Sequence, residues 1–209
     1  MANWGITRTS TVARLVRAET LSLKAREARV AVLDDLSYGH AESVPAGTKL
    51  FRSDMGDQTA VRAALRASTA EVVIDFAAFT NVGESVQQPA RYHENNVVRT
   101  EGLLQALRAE GVKKLVFSST CATYGIPEKM PMTEDLAQNP INPYGATKLA
   151  VEKRLRELAG SHGLSFAAFR YFNAAGAAED GSIGEDHDPE SHLIPLAIGA
   201  ATGKRPALQ

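Results

Sequence analysis

Residues 71–78, Glu-Val-Val-Ile-Asp-Phe-Ala-Ala, form the most strand-like run of the chain. A short, almost continuous apolar run rich in β-branched residues is typical of a strand that is buried on both faces. Comparable runs lie at 30–33, 49–51, 114–119 and 166–171, and helical stretches separate them. Strands that alternate with helices predict an α/β fold with a doubly wound parallel sheet. We therefore expect one parallel sheet that includes 72–77 and its neighbours.

Polar or small residues follow the predicted strands at the points where they end. These residues are Asp34, Asp54, 77–78, 118–120 and Asn173. In doubly wound folds the ligand binds outside the carboxyl ends of the strands. The sequence therefore predicts a binding site at this edge of the sheet.

A long helical stretch covers about 89–110, and a second one leads from Tyr144 to a predicted stop at Gly160. Tyr144 and Lys148 stand four residues apart, so a helix would place both on one face. A lysine ammonium beside a phenol favours the phenolate and lowers its pKa. Such a tyrosine, hydrogen-bonded by Thr120, can remove a proton from a sugar or alcohol hydroxyl. The alternative is that the pair belongs to a solvated helix face.

Composition excludes several classes of function. A chain of 209 residues allows one domain, or one domain and part of another. Its net charge of −1 gives no electrostatic basis for binding nucleic acid or an anionic membrane, and no apolar run approaches the ~20 residues of a membrane span. The single Cys121 excludes an internal disulfide and fits a reducing cytoplasm. The five histidines show no ligand-like spacing, so we expect no metal site.

Eight short motifs between residues 30 and 209 occur together in one known order and spacing: 32–37, 76–78, 82–86, 94–97, 117–120, 144–148, 170–173 and 192–195. In these motifs the chain resembles the extended short-chain dehydrogenase/reductase family, and within it the NAD-dependent epimerases of nucleotide sugars. Val-Gly-Glu-Ser at 82–85 and Arg-Tyr-Phe-Asn at 170–173 are the most specific. The resemblance implies a Rossmann-like NAD-binding domain over 1–175, atypical over 1–28, and the start of a truncated substrate-binding region over 176–209.

The resemblance also implies roles for individual residues. The implied catalytic group is Thr120, Tyr144 and Lys148. The implied cofactor-binding residues are Asp34, Asp54, Met55, Phe76, Ala77, Ala78, Asn95, Ser118, Tyr144, Lys148 and Tyr171. The implied substrate-binding residues are Thr120, Asn173, His192 and Leu193. Cys121 is interpreted as a packed residue and not as a nucleophile.

The implied reaction is epimerisation at C4 of a UDP-sugar, with NAD as the resident cofactor and a homodimer as a possible assembly. Tyr144 would take the proton of the 4-hydroxyl while a hydride passes to NAD, and the hydride would return to the other face of the keto sugar. A dehydratase of the same family would usually carry Thr-Asp-Glu where this chain has Thr-Cys-Ala at 120–122. Elimination of water is therefore the weaker prediction.

The chain departs from the family at the site for the pyrophosphate. A dinucleotide site needs three spaced glycines about twenty residues before the acidic residue. Gly5 is the only glycine before Gly39, and 1–8 supplies no apolar first strand. Thr80 also stands where the family often has lysine. We therefore expect weak NAD binding, and two hypotheses stay open: a working epimerase, or a non-catalytic remnant or binding module that keeps the fold. The atypical ends fit a fragment, a misread start or a decayed copy, and the sequence does not choose among them.

Overall fold

The computed structural model of the protein describes residues 29–39, 41–174, 176, 190 and 193–206. The chain divides into two compact units. One consists of Leu33–Asp35 and Phe51–Phe172, and the other of Met1–Val32, Leu36–Leu50 and Asn173–Gln209. The predicted boundary at residue 175 stays a prediction. The expectations for 1–28, including the missing first strand, lie outside the described residues.

Three strands form a parallel sheet in the order β3-β4-β5. They are β3 (Val73–Asp75), β4 (Lys114–Thr120) and β5 (Ser165–Tyr171). The prediction of an α/β fold with parallel strands is confirmed. It also follows that Asp75, Thr120 and Tyr171, the last residues of these strands, lie at the same edge of the sheet.

The prediction that the segment near 30–33 belongs to this same sheet is not met within the described residues. β1 (Ala31–Asp34) instead pairs with β2 (Lys49–Arg52) in a separate two-stranded sheet. A local apolar pattern predicts that a segment is a strand, but it does not determine with which strand that segment pairs.

The described helices are α1 (Gln58–Ser68), α2 (Val82–Gln87), α3 (Pro89–His93), α4 (Arg99–Ala109), α5 (Pro143–His162) and α6 (Leu193–Ala201). A π-helix, Glu94–Val98, joins α3 to α4, and two 3-10 turns cover Ala41–Ser43 and Cys121–Thr123. The helical stretch predicted at 89–110 is therefore present, but one wide turn interrupts its regular geometry.

The helix that carries Tyr144 has a well-defined start and end. Asn142 caps it by accepting a hydrogen bond from the backbone N–H of Gly145 at 2.8 Å, and Pro143 occupies the first turn. The predicted stop at Gly160 is wrong. The helix continues to His162, because Gly163 is the residue that takes the left-handed conformation, with φ of +67°.

The core of the larger described unit lies between β4 and three helices. Its buried side chains come from α1, α4, β4 and α5: Val61, Leu65, Leu103, Leu104, Ala106, Leu107, Leu115, Phe117, Val151, Leu155 and Leu158. Burial of each large apolar side chain contributes on the order of 1.5–3 kcal/mol. This packing holds α5 against β4, so the first turns of α5 lie near the end of that strand.

Candidate active site

Tyr144 and Lys148 lie one turn apart on the buried face of α5, and only 9% and 3% of their surfaces are exposed. Tyr144 shares a hydrogen bond with the side chain of Thr120, the last residue of β4. The Lys148 ammonium donates a hydrogen bond to the carbonyl oxygen of Ser118 at 2.7 Å. The structure thus brings together the three residues predicted to be catalytic and the predicted cofactor residue Ser118. Their roles stay predictions.

The phenol of Tyr144 has a raised pKa. Burial raises it, and the hydrogen bond with Thr120 lowers it by less. The expectation that Lys148 lowers the pKa of Tyr144 below its ordinary value is therefore wrong for this structure. The physical reason is that burial outweighs the hydrogen bond with Thr120. The Lys148 ammonium is bonded to the Ser118 carbonyl and lies 4.8 Å from the centre of the Phe117 ring.

Lys148 has a lowered pKa of about 8, because burial disfavours its charged form, while the charge of Asp75 opposes that shift. Asp75 is 4% exposed and ends β3, in register with Phe117 on β4. Its pKa is raised by burial and lowered in part by Lys148 and by the N–H of Ala77, which donates to Oδ1 at 3.0 Å. Oδ2 has no hydrogen-bond partner within the described part of the chain. Sequence reasoning missed Asp75, although a carboxylate inside an apolar strand was the available signal.

The predicted cofactor loop, Phe76 to Ala78, follows β3 directly, with Ala77 exposed and its two neighbours half-buried. A buried asparagine in the π-helix, Asn96, holds the next residue, Phe79, on both sides. Its Oδ1 accepts from the N–H of Phe79 at 2.9 Å, and its Nδ2 donates to the carbonyl of Phe79 at 3.0 Å. Sequence reasoning selected Asn95 and missed Asn96.

Asn96 also connects this loop to α5. Its Nδ2 donates to Oγ1 of Thr147 at 3.3 Å, and the Thr147 hydroxyl donates to the carbonyl of Tyr144 at 2.7 Å. Asn95 donates from Nδ2 to Oδ1 of Asn96 at 2.9 Å. Because π-helices often mark functional sites, the wide turn at Glu94–Val98 is a signal that the sequence pattern did not give.

The acidic residues predicted for the adenosine end lie at the ends of β1 and β2. Asp34 is half-buried, and its carbonyl accepts from the N–H of Ser53 at 3.2 Å. Asp54 accepts from the N–H of Gly56 at 2.6 Å and forms an ion pair with Arg99 of α4. Met55 is buried. The roles of Asp34, Asp54 and Met55 stay predictions.

Of the remaining predicted residues, only some lie at the ends of the strands. Tyr171 pairs in register with Thr120 at the ends of β5 and β4, and its ring lies 6.0 Å from that of Phe169. Asn173 and Leu193 are exposed and belong to the other compact unit, and His192 lies outside the described residues. Cys121 is half-buried, and burial raises the pKa of its thiol, which disfavours the reactive thiolate.

Among the described residues, no group of three or more histidine, cysteine, aspartate or glutamate side chains is arranged to hold a metal ion. In the same part of the chain, no helix has both the length and the apolar content needed to cross a bilayer.

Comparison with known proteins agrees with the motifs. The model of the NAD dependent epimerase/dehydratase family matches residues 17–208. The chain is 49% identical over 172 residues to UDP-glucose 4-epimerase of Lactobacillus helveticus, covering 82% of this chain and 52% of that protein. It is 48% identical over 180 residues to the enzyme of the same name from Streptomyces lividans, covering 86% and 54%. The chain thus spans about half the length of the curated relatives it matches.

Solved structures show the same similarity. UDP-glucose 4-epimerase from Brucella ovis, solved in complex with NAD, superimposes with a TM-score of 0.86 at 43% identity, covering 96% of this chain and 60% of that one. The enzyme from Bifidobacterium longum, solved with NAD+ and UDP, gives a TM-score of 0.84 at 29% identity, covering 96% and 62%. The predicted Rossmann-like fold and the family resemblance are confirmed. With a family model that matches most of its length, the chain belongs to the NAD dependent epimerase/dehydratase family.

Proposed function

We propose that this protein catalyses the NAD-dependent epimerisation of a UDP-sugar at C4, interconverting UDP-glucose and UDP-galactose. The observation that carries the proposal is the contact between Tyr144 and Thr120 at the end of β4, with Lys148 on the same face of α5. It is supported by 49% identity to a protein named UDP-glucose 4-epimerase. On this proposal the reaction belongs to galactose metabolism.

The chemistry of the described side chains fits NAD at its adenosine ribose and nicotinamide ends. The carboxylate of Asp34 would accept hydrogen bonds from the ribose hydroxyls. Met55 and Asp54 would lie beside the adenine, and small residues at Ala77 and Ala78 would let the dinucleotide approach the backbone. The nicotinamide end would be held by Asn95, Ser118, Tyr144, Lys148 and Tyr171. Thr120, Asn173, His192 and Leu193 would contact the UDP-sugar.

The catalytic side chains of this protein would move one proton, that of the 4-hydroxyl of the sugar. A bound NAD would supply a reversible hydride acceptor for C4 of the sugar. The Oη atom of Tyr144, as phenolate, would accept the proton of the 4-hydroxyl and later return it. Burial raises the pKa of this phenol, so the hydrogen bond from Thr120 is needed to stabilise its charged form. Lys148, with a pKa of about 8, would supply a positive charge from the next turn of the helix.

The direct test is turnover of UDP-galactose in the presence of NAD, with UDP-glucose measured by a coupled dehydrogenase. Tyr144→Phe should lower kcat by roughly a hundredfold or more, since general acid–base catalysis contributes about that much. Lys148→Met should also lower it, whereas Lys153→Met, an exposed lysine on the same helix, should not. Equal turnover of Tyr144→Phe and the unaltered chain would contradict the proposal.

A second hypothesis is a catalytically impaired fragment or non-catalytic remnant of the same fold. It is favoured by one observation, the absence of any glycine between Gly5 and Gly39, where the family binds the pyrophosphate. On this hypothesis neither NAD binding nor turnover is detected, although the chain folds cooperatively.

We also propose that the protein is cytoplasmic and forms a homodimer. The single Cys121 and a nucleotide-sugar substrate favour the cytoplasm. For the dimer, the occupant is a second copy that would cover a groove along the π-helix and α4, lined in part by Val97, Gly102 and the 46% exposed Val98. Light scattering after gel filtration would distinguish dimer from monomer, and Val98→Asp should shift the equilibrium to monomer.

A further inference from the structure

Glu152 is a carboxylate with no exposed surface. It stands on α5 four residues after Lys148 and eight after Tyr144, so the three side chains follow one another along the same face of the helix. Acidic residues are almost never fully buried unless they are paired. The position of this carboxylate, next to the proposed catalytic group, therefore calls for an explanation.

Five hydrogen bonds surround the Glu152 carboxylate. Oε1 accepts from the hydroxyl of Ser119 at 2.5 Å and from Nε of Arg170 at 3.0 Å. Oε2 accepts from Arg170 at 2.8 Å, from Arg156 at 2.9 Å and from Gln138 at 3.1 Å. Burial alone would raise the pKa of this carboxyl, but the hydrogen bonds from Arg170, Ser119 and Gln138 hold it below its ordinary value.

Two of these partners belong to neighbouring strands. Ser119 on β4 and Arg170 on β5 stand opposite each other in the parallel register. Each immediately precedes a predicted site residue, Thr120 and Tyr171 respectively. A single carboxylate therefore ties α5 to both strands one residue before their ends.

Arg170 carries the same network into the loop that precedes α5. It donates to the hydroxyl of Tyr124 at 2.6 Å and to the carbonyl of Glu134 at 3.1 Å, and its guanidinium lies 4.9 Å from the centre of the Tyr124 ring. Gln138, which bonds Glu152 directly, lies in the same loop. The segment that leads into Tyr144 is thus fixed to the same carboxylate.

A buried ion pair of this kind is weak grounds for a role in stability alone. Apolar residues of similar volume often replace such pairs at no loss of stability. An apolar residue would not form the directional hydrogen bond with the Ser119 hydroxyl. It would therefore not fix the distance between α5 and the end of β4. Misplacement by about 1 Å far from the chemistry can lower a rate by about a hundredfold.

We propose that Glu152 is a positioning residue that holds α5 at the distance from β4 at which Tyr144 meets Thr120 and Lys148 meets the Ser118 carbonyl. The kinetic part of this inference rests on the proposed function, but the geometric part does not. Loss of the link would let the first turns of α5 separate from the strand end. Lys148 would then leave its dry site, and its pKa would return from about 8 toward the ordinary lysine value.

The test compares Glu152→Gln and Ser119→Ala with Glu110→Gln. Glu110 is the matched control because it also pairs with two arginines, Arg62 and Arg66, but between α1 and α4. In protein labelled with ¹³C at the lysine Cε, the Lys148 signal is assigned by its loss in Lys148→Met. Its titration midpoint should move to higher pH in Glu152→Gln and Ser119→Ala and stay unchanged in Glu110→Gln.

Turnover of UDP-galactose gives the second measurement. Glu152→Gln should lower kcat by about tenfold or more, with KM changed by less than about threefold, because a positioning residue acts on geometry and not on uniform binding. If the unaltered chain is inactive, the proposed function fails while the titration still decides this inference. If Glu152→Gln does not fold, Ser119→Ala removes only one hydroxyl and gives the same measurement. An unmoved Lys148 midpoint in Ser119→Ala would overturn the proposal.

Discussion

At the scale of single residues, the charge of Lys148 on α5 depends on Asp75, the last residue of β3. Burial disfavours the charged form of both side chains, so it raises the pKa of Asp75 and lowers that of Lys148. The opposite charge of the partner opposes each of these shifts. The sequence placed Lys148 beside a tyrosine by helical spacing. It did not place Asp75, because the electrostatic interaction between the two side chains depends on the tertiary placement of both residues. The electrostatic partner of the lysine is therefore a tertiary feature.

Asp75→Asn should lower the pKa of Lys148 below its present value of about 8, since the charge of Asp75 is what raises it. An activity that needs the lysine cation declines as pH rises through that pKa, so the alkaline limb of the pH–rate profile should move to lower pH. The ¹³C titration of Lys148 reports the same shift without activity. Asp135→Asn, in an exposed loop, is the control. An unchanged limb would mean that Asp75 is not ionised in the folded protein.

At the scale of elements, the close approach of α5 to the turn after β4 depends on Gly145. A Cβ at this position would lie 2.5 Å from the carbonyl oxygen of Ala122, closer than real Cβ atoms come. At Gly160, on the same helix, a Cβ would meet nothing within 4 Å. Comparing alanine substitutions at the two glycines therefore separates the effect of the close contact from the effect of helix propensity.

Gly145→Ala should destabilise the protein and lower turnover, because the backbone of α5 must move away from the turn that follows Thr120. Its gain in helix propensity, about 1 kcal/mol, does not offset a backbone clash of this size. Gly160→Ala should raise the free energy of unfolding by up to about 1 kcal/mol and leave turnover unchanged. Urea denaturation and the coupled assay measure both effects. A stabilised Gly145→Ala with normal turnover would refute the role given to this contact.

At the scale of the whole molecule, periodicity and motif order predicted the fold class, the parallel strands and the helix that carries Tyr144 and Lys148. Three features were beyond local patterns. The hydrogen bonds of Asn96 depend on a π-helix, the network of Glu152 joins residues from two strands and a loop, and the raised pKa of Tyr144 follows from tertiary burial. The stop of α5 was misplaced because Gly160 and Gly163 are alike in sequence, and only the latter adopts a positive φ.

NAD affinity tests the chain as a whole, because the Asp34 carboxylate and the region of the absent glycines act on the same ligand. We expect binding far weaker than in a relative that has the three glycines. A pyrophosphate held by backbone N–H groups makes charge-assisted hydrogen bonds worth about 1.5–3 kcal/mol each. Loss of two such bonds lowers affinity by roughly a hundredfold or more. Calorimetry with NAD is the measurement, and micromolar or tighter binding would show that residues 10–17 form a working phosphate site.

The π-helix at Glu94–Val98 has a consequence for how the chain tolerates insertions and deletions. One residue more than an α-helix needs is accommodated there, and this extra residue sets the angle at which Asn96 meets Phe79 and Thr147. Deletion of a single residue would let the segment relax into a regular α-helix and rotate the preceding turn by about 100°. The helix would survive, while the clamp on the loop after β3 would be lost. The clamp formed by Asn96 should therefore survive substitutions at the exposed Val98, including Val98→Asp, but not a change in the number of residues in this stretch.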